Sequence, residues 1–225
     1  LGVDILLRPA ILAATRATAM TVLDHPLIAA EMTRLRDPEC LPPEFRQRVR
    51  RIASLMVPAV TDVLETVCVP CPTPLETTTG RRLTRDILLA PVLRAGLGFL
   101  DGFLDLIPQA AVAHIGLARN EKTLLPEPYY LKHPATLDDS TIILLDPMLA
   151  TGGSAIEAVR RLTAAGARHL RFACLVAAPE GVAAFEAAYP GIPVFAAALD
   201  RCLDGRGYIL PGLGDAGDRL FGTGA

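Results

Sequence analysis

The residues best suited to chemistry lie in Thr141-Ile-Ile-Leu-Leu-Asp-Pro-Met-Leu-Ala-Thr-Gly-Gly-Ser154. An apolar run leads into an acid, then a turn of small residues, then Thr151, Gly152, Gly153 and Ser154 opening a helix. If the run is a strand, the Asp146 carboxylate emerges at the carboxyl edge of a sheet, where open α/β sheets bind ligands. Helix-initial N–H groups are unpaired and sit at the positive end of the helix dipole, so they hold a phosphate well. Glycine admits close backbone approach, and the hydroxyls add donors. Asp146 cannot hold a phosphate, because like charges repel, but it can accept hydrogen bonds from sugar hydroxyls. The segment therefore reads as a ribose 5-phosphate site. A P-loop is excluded, since no lysine precedes Ser154. On composition alone, an ordinarily capped helix after a strand fits equally well.

The elements that must position this loop follow from hydrophobic patterning. Short apolar runs at 87–93, 112–118, 141–145, 170–177 and 194–199 alternate with helix candidates at 97–106, 154–165 and 180–189. Near-continuous apolar strands separated by helices predict a mainly parallel sheet covered on both faces, an α/β fold. Residues 44–65 have helical spacing at Phe45, Val49, Ile52 and Met56, and Pro58 is expected to kink or break that helix. The arginines at 46, 48, 50 and 51 read as a solvated helix face. Residues 66–85, rich in Thr, Pro and Val, read as an extended arm. Residues 119–140, with prolines at 126, 128 and 134, read as a long flexible loop.

Composition narrows the class. The 225 residues are 51% hydrophobic and 20% charged, enough apolar material for a sizeable core. A net charge of −2 gives no global pull toward nucleic acid or an anionic membrane. No apolar run is long enough to span a bilayer. Arg8 and Arg16 interrupt the apolar start, which fits a signal peptide poorly, and a cytoplasmic protein is expected. Met20 could serve as a start, making residues 1–19 an extension and residues 20–225 one domain. The five cysteines are scattered, and the lone Cys68/Cys71 pair lacks the further ligands that a metal site needs. None of the histidines (25, 114, 133 and 169) has a metal spacing or a nucleophile beside it.

Gly212-Leu-Gly-Asp-Ala-Gly217 matches a dinucleotide fingerprint by letter only. Such a site needs a further helix, strand and acid, and eight residues remain after Gly217. A glycine-rich loop of this kind can instead offer backbone N–H and C=O groups to a small planar ligand.

Several ordered motifs together resemble the uracil phosphoribosyltransferase family. They are Pro91-Val-Leu-Arg-Ala-Gly-Leu-Gly98, Ala118-Arg-Asn-Glu121, Leu145-Asp-Pro-Met-Leu-Ala-Thr-Gly-Gly-Ser154, Leu175-Val-Ala-Ala-Pro-Glu-Gly181 and Gly207-Tyr-Ile-Leu-Pro-Gly-Leu-Gly-Asp-Ala-Gly-Asp218, with His25-Pro26-Leu27 ahead of them. The resemblance implies the type I phosphoribosyltransferase fold, with a β-arm at 66–85 and a uracil-binding hood at 200–225. It implies transfer from phosphoribosyl pyrophosphate to uracil, giving UMP and diphosphate, with Mg2+ held mainly by substrate and water. Asp146, Pro147, Met148, Leu149, Ala150, Thr151, Gly152, Gly153 and Ser154 would take the ribose phosphate. Arg94 and Arg119 would take the pyrophosphate. Ile209, Gly214, Asp215 and Ala216 would contact uracil, with Asp215 also facing the sugar pyrophosphate. Arg94, Arg119, Asp146 and Asp215 are the expected catalytic set.

Pro147 stands where many relatives carry a second acid, which favours uracil over a purine. A homodimer or higher homo-oligomer joined through the arm, and activation by GTP, also come with the resemblance, although residues 56–83 depart from the family pattern. The rival reading is a non-catalytic regulator of the same fold that senses UMP or phosphoribosyl pyrophosphate. The intact 212–217 loop favours the enzyme.

Overall fold

The computed structural model describes residues 20–119 and 126–224. The expected extension at 1–19 lies outside the described residues. Among those described, no helix is long and apolar enough to cross a membrane.

In chain order the elements are β1 (Met20–Val22), α1 (Pro26–Arg36), α2 (Pro42–Thr61), β2 (Thr66–Pro72), β3 (Thr77–Leu83), β4 (Ile87–Leu93) and α3 (Leu97–Leu104). There follow β5 (Ala111–Val112), β6 (His114–Arg119), β7 (Pro126–Lys132), β8 (Thr141–Leu145), β9 (Met148–Leu149) and α4 (Gly153–Ala164). The chain continues through β10 (His169–Ala177), α5 (Pro179–Ala188), β11 (Val194–Leu199), β12 (Cys202–Leu203), β13 (Ile209–Leu210) and α6 (Ala216–Phe221).

The central sheet runs β1-β11-β10-β8-β4-β6-β7. All pairs along it are parallel except β6 with β7. The central strands β4 and β8 are buried on both faces, as their unbroken apolar runs require. Ile87 and Leu89 pack with α1, α2 and α3 on one face, while Leu88 and Ala90 pack with α4 and α5 on the other. That alternation is the two-residue period of a strand.

The strand order determines where a ligand can enter. From β4 the chain crosses to α3 on one face and reaches β6. From β8 it crosses to α4 on the opposite face and reaches β10. The loops after β4 and β8 therefore diverge above neighbouring strands, leaving a crevice at the carboxyl edge.

Two sequence expectations are corrected. Pro58 neither breaks nor ends α2, which continues to Thr61. Pro58 itself is exposed in the last turn, while Val57 and Val60 on either side are buried in the core. Their burial, about 1.5–3 kcal/mol each, offsets the lost hydrogen bond. Residues 119–140 are not one long loop either. Arg119 ends β6, and Pro126–Lys132 forms β7, antiparallel to it. β7 is the edge of the sheet, where proline can face away from the ladder. Residues 66–83 form a separate two-stranded hairpin, β2 with β3. Cys68 and Cys71 are three positions apart on β2, so they point to opposite faces of it.

Candidate active site

The crevice between the β4 and β8 loops opens into a cleft of about 550 Å³. One wall is the loop from Asp146 to Ala155, a second is Val92 to Ala95, and a third is the C-terminal segment with Ile209 and Gly214 to Gly217. Leu117, Ala118 and Tyr129 complete it from β6 and β7.

The phosphate loop is held by backbone bonds that leave its donors free. Pro147 C=O accepts from the N–H of Leu175 and of Val176, both at 3.0 Å, and Leu149 C=O accepts from Ala178 N–H at 2.9 Å. Gly152 caps α4 with φ +85°, a left-handed conformation that costs glycine little. Among the described residues no acceptor meets the N–H groups of Thr151 to Ala155; the first bond of the helix is Ile156 N–H to Gly152 C=O at 2.9 Å. These donors lie along the cleft at the positive end of a twelve-residue helix. That arrangement suits a phosphate dianion.

Asp146 is buried, and Met148 N–H donates to its Oδ1 at 3.3 Å. Burial pushes its carboxyl up to about 7, with the Met148 bond opposing the shift only in part. Cys174 lies behind it on β10, and burial followed by the nearby Asp146 charge pushes that thiol up as well. A carboxylate this short of partners gains from hydroxyl donors.

Arg94 follows a cis Leu93–Arg94 peptide. Its guanidinium lies 3.7 Å from Asp218 and 5.8 Å from the Phe221 ring centroid, both in the C-terminal segment. Arg94 and Asp218 are 59% and 40% exposed, so this ion pair contributes little and is readily exchanged for an anionic ligand. Asp215 caps α6, its Oδ1 accepting from Asp218 N–H at 2.9 Å. Ile209 is buried in the short β12–β13 ribbon, and Gly214 and Ala216 flank Asp215 on the cleft wall.

This geometry agrees with the similarity of the chain to known proteins. The family model described as uracil phosphoribosyltransferase matches residues 22–223. The chain belongs to the uracil phosphoribosyltransferase family. It is 51% identical to the uracil phosphoribosyltransferase of Ligilactobacillus salivarius over 203 residues, covering 90% of this chain and 97% of that one. A solved protein of Aquifex aeolicus superposes with a TM-score of 0.85 at 32% identity, over 90% of this chain and 97% of that one. Adenine phosphoribosyltransferase of Trypanosoma brucei shares the fold, with a TM-score of 0.53 at 15% identity over 84% and 90% of the two chains. The fold is that of the type I phosphoribosyltransferases.

Within this family fold, most residues singled out from sequence meet at one cleft. Arg94, Asp146, Met148 to Ser154, Ile209 and Gly214 to Ala216 all line it. Pro147 is buried behind the loop and acts through its carbonyl. The backbone of Arg119 lies at the end of β6, one residue past the cleft-lining Ala118; its side chain lies outside the described residues. Sequence reasoning missed Tyr129, because the flanking prolines disguised β7 as a loop. It also missed Tyr208, which lines the cleft beside Ile209. The alternation of Tyr129 and Leu131 with Tyr130 and Lys132 was the available signal. Among the described residues no group of three or more His, Cys, Asp or Glu could hold a metal.

Proposed function

We propose that this chain catalyses transfer of the phosphoribosyl group from phosphoribosyl pyrophosphate to uracil, giving UMP and diphosphate for pyrimidine salvage. The observation that carries this reading is the juxtaposition, in one cleft, of unpaired helix-initial N–H groups, the buried Asp146 carboxylate and the Gly214–Ala216 backbone.

The N–H groups of residues 151–155 and the hydroxyls of Thr151 and Ser154 hold the 5-phosphate. Asp146 accepts hydrogen bonds from the ribose hydroxyls, which stabilises its charged form. Fixing the ribose at both ends aligns its anomeric carbon with the base. Displacement there passes through an oxocarbenium-like state, and negative charge builds on the departing pyrophosphate. Arg94 and Arg119 supply charge-assisted donors to it. Ile209 packs against the base, and the backbone at Gly214, Asp215 and Ala216 matches its alternating carbonyl and N–H groups. Cytosine would present a donor to a donor, leaving buried groups unpaired at about 1–3 kcal/mol each.

The donor chemistry fits Mg2+. This cation takes oxygen ligands, keeps several waters, and needs few protein groups when a substrate phosphate carries it. Held mainly by the pyrophosphate and water, with the Asp215 carboxylate on the adjacent wall, it would neutralise charge on the leaving group.

The exposed β2–β3 hairpin supports self-association into a homodimer, which sedimentation of the hairpin-deleted chain would test. GTP as an activator is tested by titrating it into the transfer assay.

Incubation with phosphoribosyl pyrophosphate, Mg2+ and each of uracil, cytosine, hypoxanthine and orotate is expected to release pyrophosphate with uracil alone. Release with hypoxanthine, or with no base, would overturn the assignment. Arg119→Ala is expected to raise the KM for phosphoribosyl pyrophosphate about tenfold or more, the value of one charge-assisted contact. An unchanged KM and kcat would place Arg119 outside the site.

A further inference from the structure

The base-reading loop is held at its far end by the helix that follows it, through Asp215 and through Arg219 Nη1, which donates to Leu213 C=O at 2.8 Å, and at its near end from outside the segment. Asp200 follows β11 and is buried, with its side chain 5% exposed. Its Oδ2 accepts from Gly212 N–H at 2.8 Å and from Arg36 Nη1 at 2.7 Å, while its Oδ1 accepts from Arg36 Nη2 at 2.7 Å. The same Arg36 Nη1 donates to Gly212 C=O at 2.7 Å. One ion pair therefore grips both the N–H and the C=O of a single residue, two positions before Gly214.

Each end of this grip is anchored in the core. Arg36 closes α1, where a cation suits the carbonyl end of the helix dipole. Asp200 N–H donates to Ala177 C=O at 2.8 Å, tying it to the end of β10. Bidentate pairing of a guanidinium with a carboxylate fixes orientation as well as distance. Gly212 thus takes its position from the sheet and from α1. Leu213 to Ala216 follow directly from this fixed point, with Leu213 C=O held in addition by Arg219 Nη1 at 2.8 Å.

We infer that Arg36 and Asp200 are positioning residues for uracil: through Gly212 they set the height and register of the Gly214–Ala216 backbone against the base. Neither touches the ribose phosphate loop, so their effect falls on base recognition. This inference rests on the reading of that backbone as the uracil contact.

The test compares Asp200→Asn, Arg36→Lys and Arg36→Ala with the unaltered chain, measuring KM for each substrate, kcat and amide hydrogen exchange over residues 212–217. Asp200→Asn is expected to raise the uracil KM about tenfold or more, the cost of one charge-assisted bond. The KM for phosphoribosyl pyrophosphate and the saturated kcat should stay within about threefold, because the phosphoribosyl contacts are untouched. Arg36→Lys should recover part of what Arg36→Ala loses, since one ammonium reaches only some of the three acceptors. Exchange at 212–217 should quicken while that of the sheet does not. Equal rises in both KM values, or identical Lys and Ala variants, would show a merely structural role and overturn the inference. Unaltered exchange at 212–217 in all three variants would overturn it independently of any assay. Failure of the unaltered chain to use uracil would sink the functional reading instead, and the exchange data would still decide whether the pair holds the loop. If Asp200→Asn does not fold, the two Arg36 variants carry the comparison.

Discussion

Asp146→Asn is expected to lower kcat/KM for transfer by about 10²–10³-fold, the usual effect of removing one preorganised electrostatic group from a dry site. The variant should remain folded. Asparagine keeps the shape and the acceptor for Met148 N–H, whose bond to Oδ1 is 3.3 Å. What it loses is the charge that accepts from the ribose hydroxyls. Near-normal turnover would remove Asp146 from the mechanism.

The pH dependence gives this prediction a second edge. Burial raises the Asp146 carboxyl from 3.8 to about 7. If the charged form is the working one, kcat/KM of the unaltered chain rises with pH through about 7, and Asp146→Asn lacks that limb. Stability runs the other way. Between about pH 4 and pH 7 the folded chain keeps a proton that the unfolded chain has released. Stability therefore declines as pH rises across that window and levels off above it. A shift of this size corresponds to a few kcal/mol at most. Thermal melts of the two proteins should thus diverge from pH 4 to pH 7, with Asp146→Asn the more stable at pH 8. A constant gap across that range would contradict the assigned cause.

Gly181→Ala is the second large effect. In an ordinary helix this change stabilises by up to about 1 kcal/mol, since alanine is the better helix former. Here a Cβ at Gly181 would come within 2.2 Å of Ala150 C=O and 2.7 Å of Leu149 C=O. Both are backbone atoms of the phosphate loop and cannot swing aside. Either α5 or the loop must shift by an ångström or so, which costs about 1–3 kcal/mol in packing. Displacement of that size in a positioned site costs on the order of 10²-fold in rate. The expected result is a lower Tm together with a loss of transfer. A stabilised, fully active Gly181→Ala chain would mean that the contact yields without disturbing the site.

The two misread elements show where local sequence gives out. The prolines of 126–132 argue against a strand wherever the ladder needs every N–H, and β7 forms because it lies at an edge that does not. Pro58 argues against a helix in isolation, and α2 persists because Val57 and Val60 are already committed to the core. In both cases a neighbour distant in sequence supplied the deciding energy.

What the sequence determined by itself is the layered fold and the place of a turn suited to a phosphate. Unbroken apolar runs demand strands buried on both faces, and Asp146 with Thr151, Gly152, Gly153 and Ser154 marks a strand-to-helix turn with free N–H donors, because strand period and helix-end electrostatics act over a few residues. Only the tertiary structure decided the rest. It placed the Arg94 turn and the Asp146 loop on neighbouring strands whose connections diverge. It buried Asp146 enough to shift its ionisation. It joined Arg36 and Asp200 to Gly212, and set Gly181 against Ala150. Those outcomes depend on desolvation and on contacts between segments up to 176 positions apart, which no local pattern encodes.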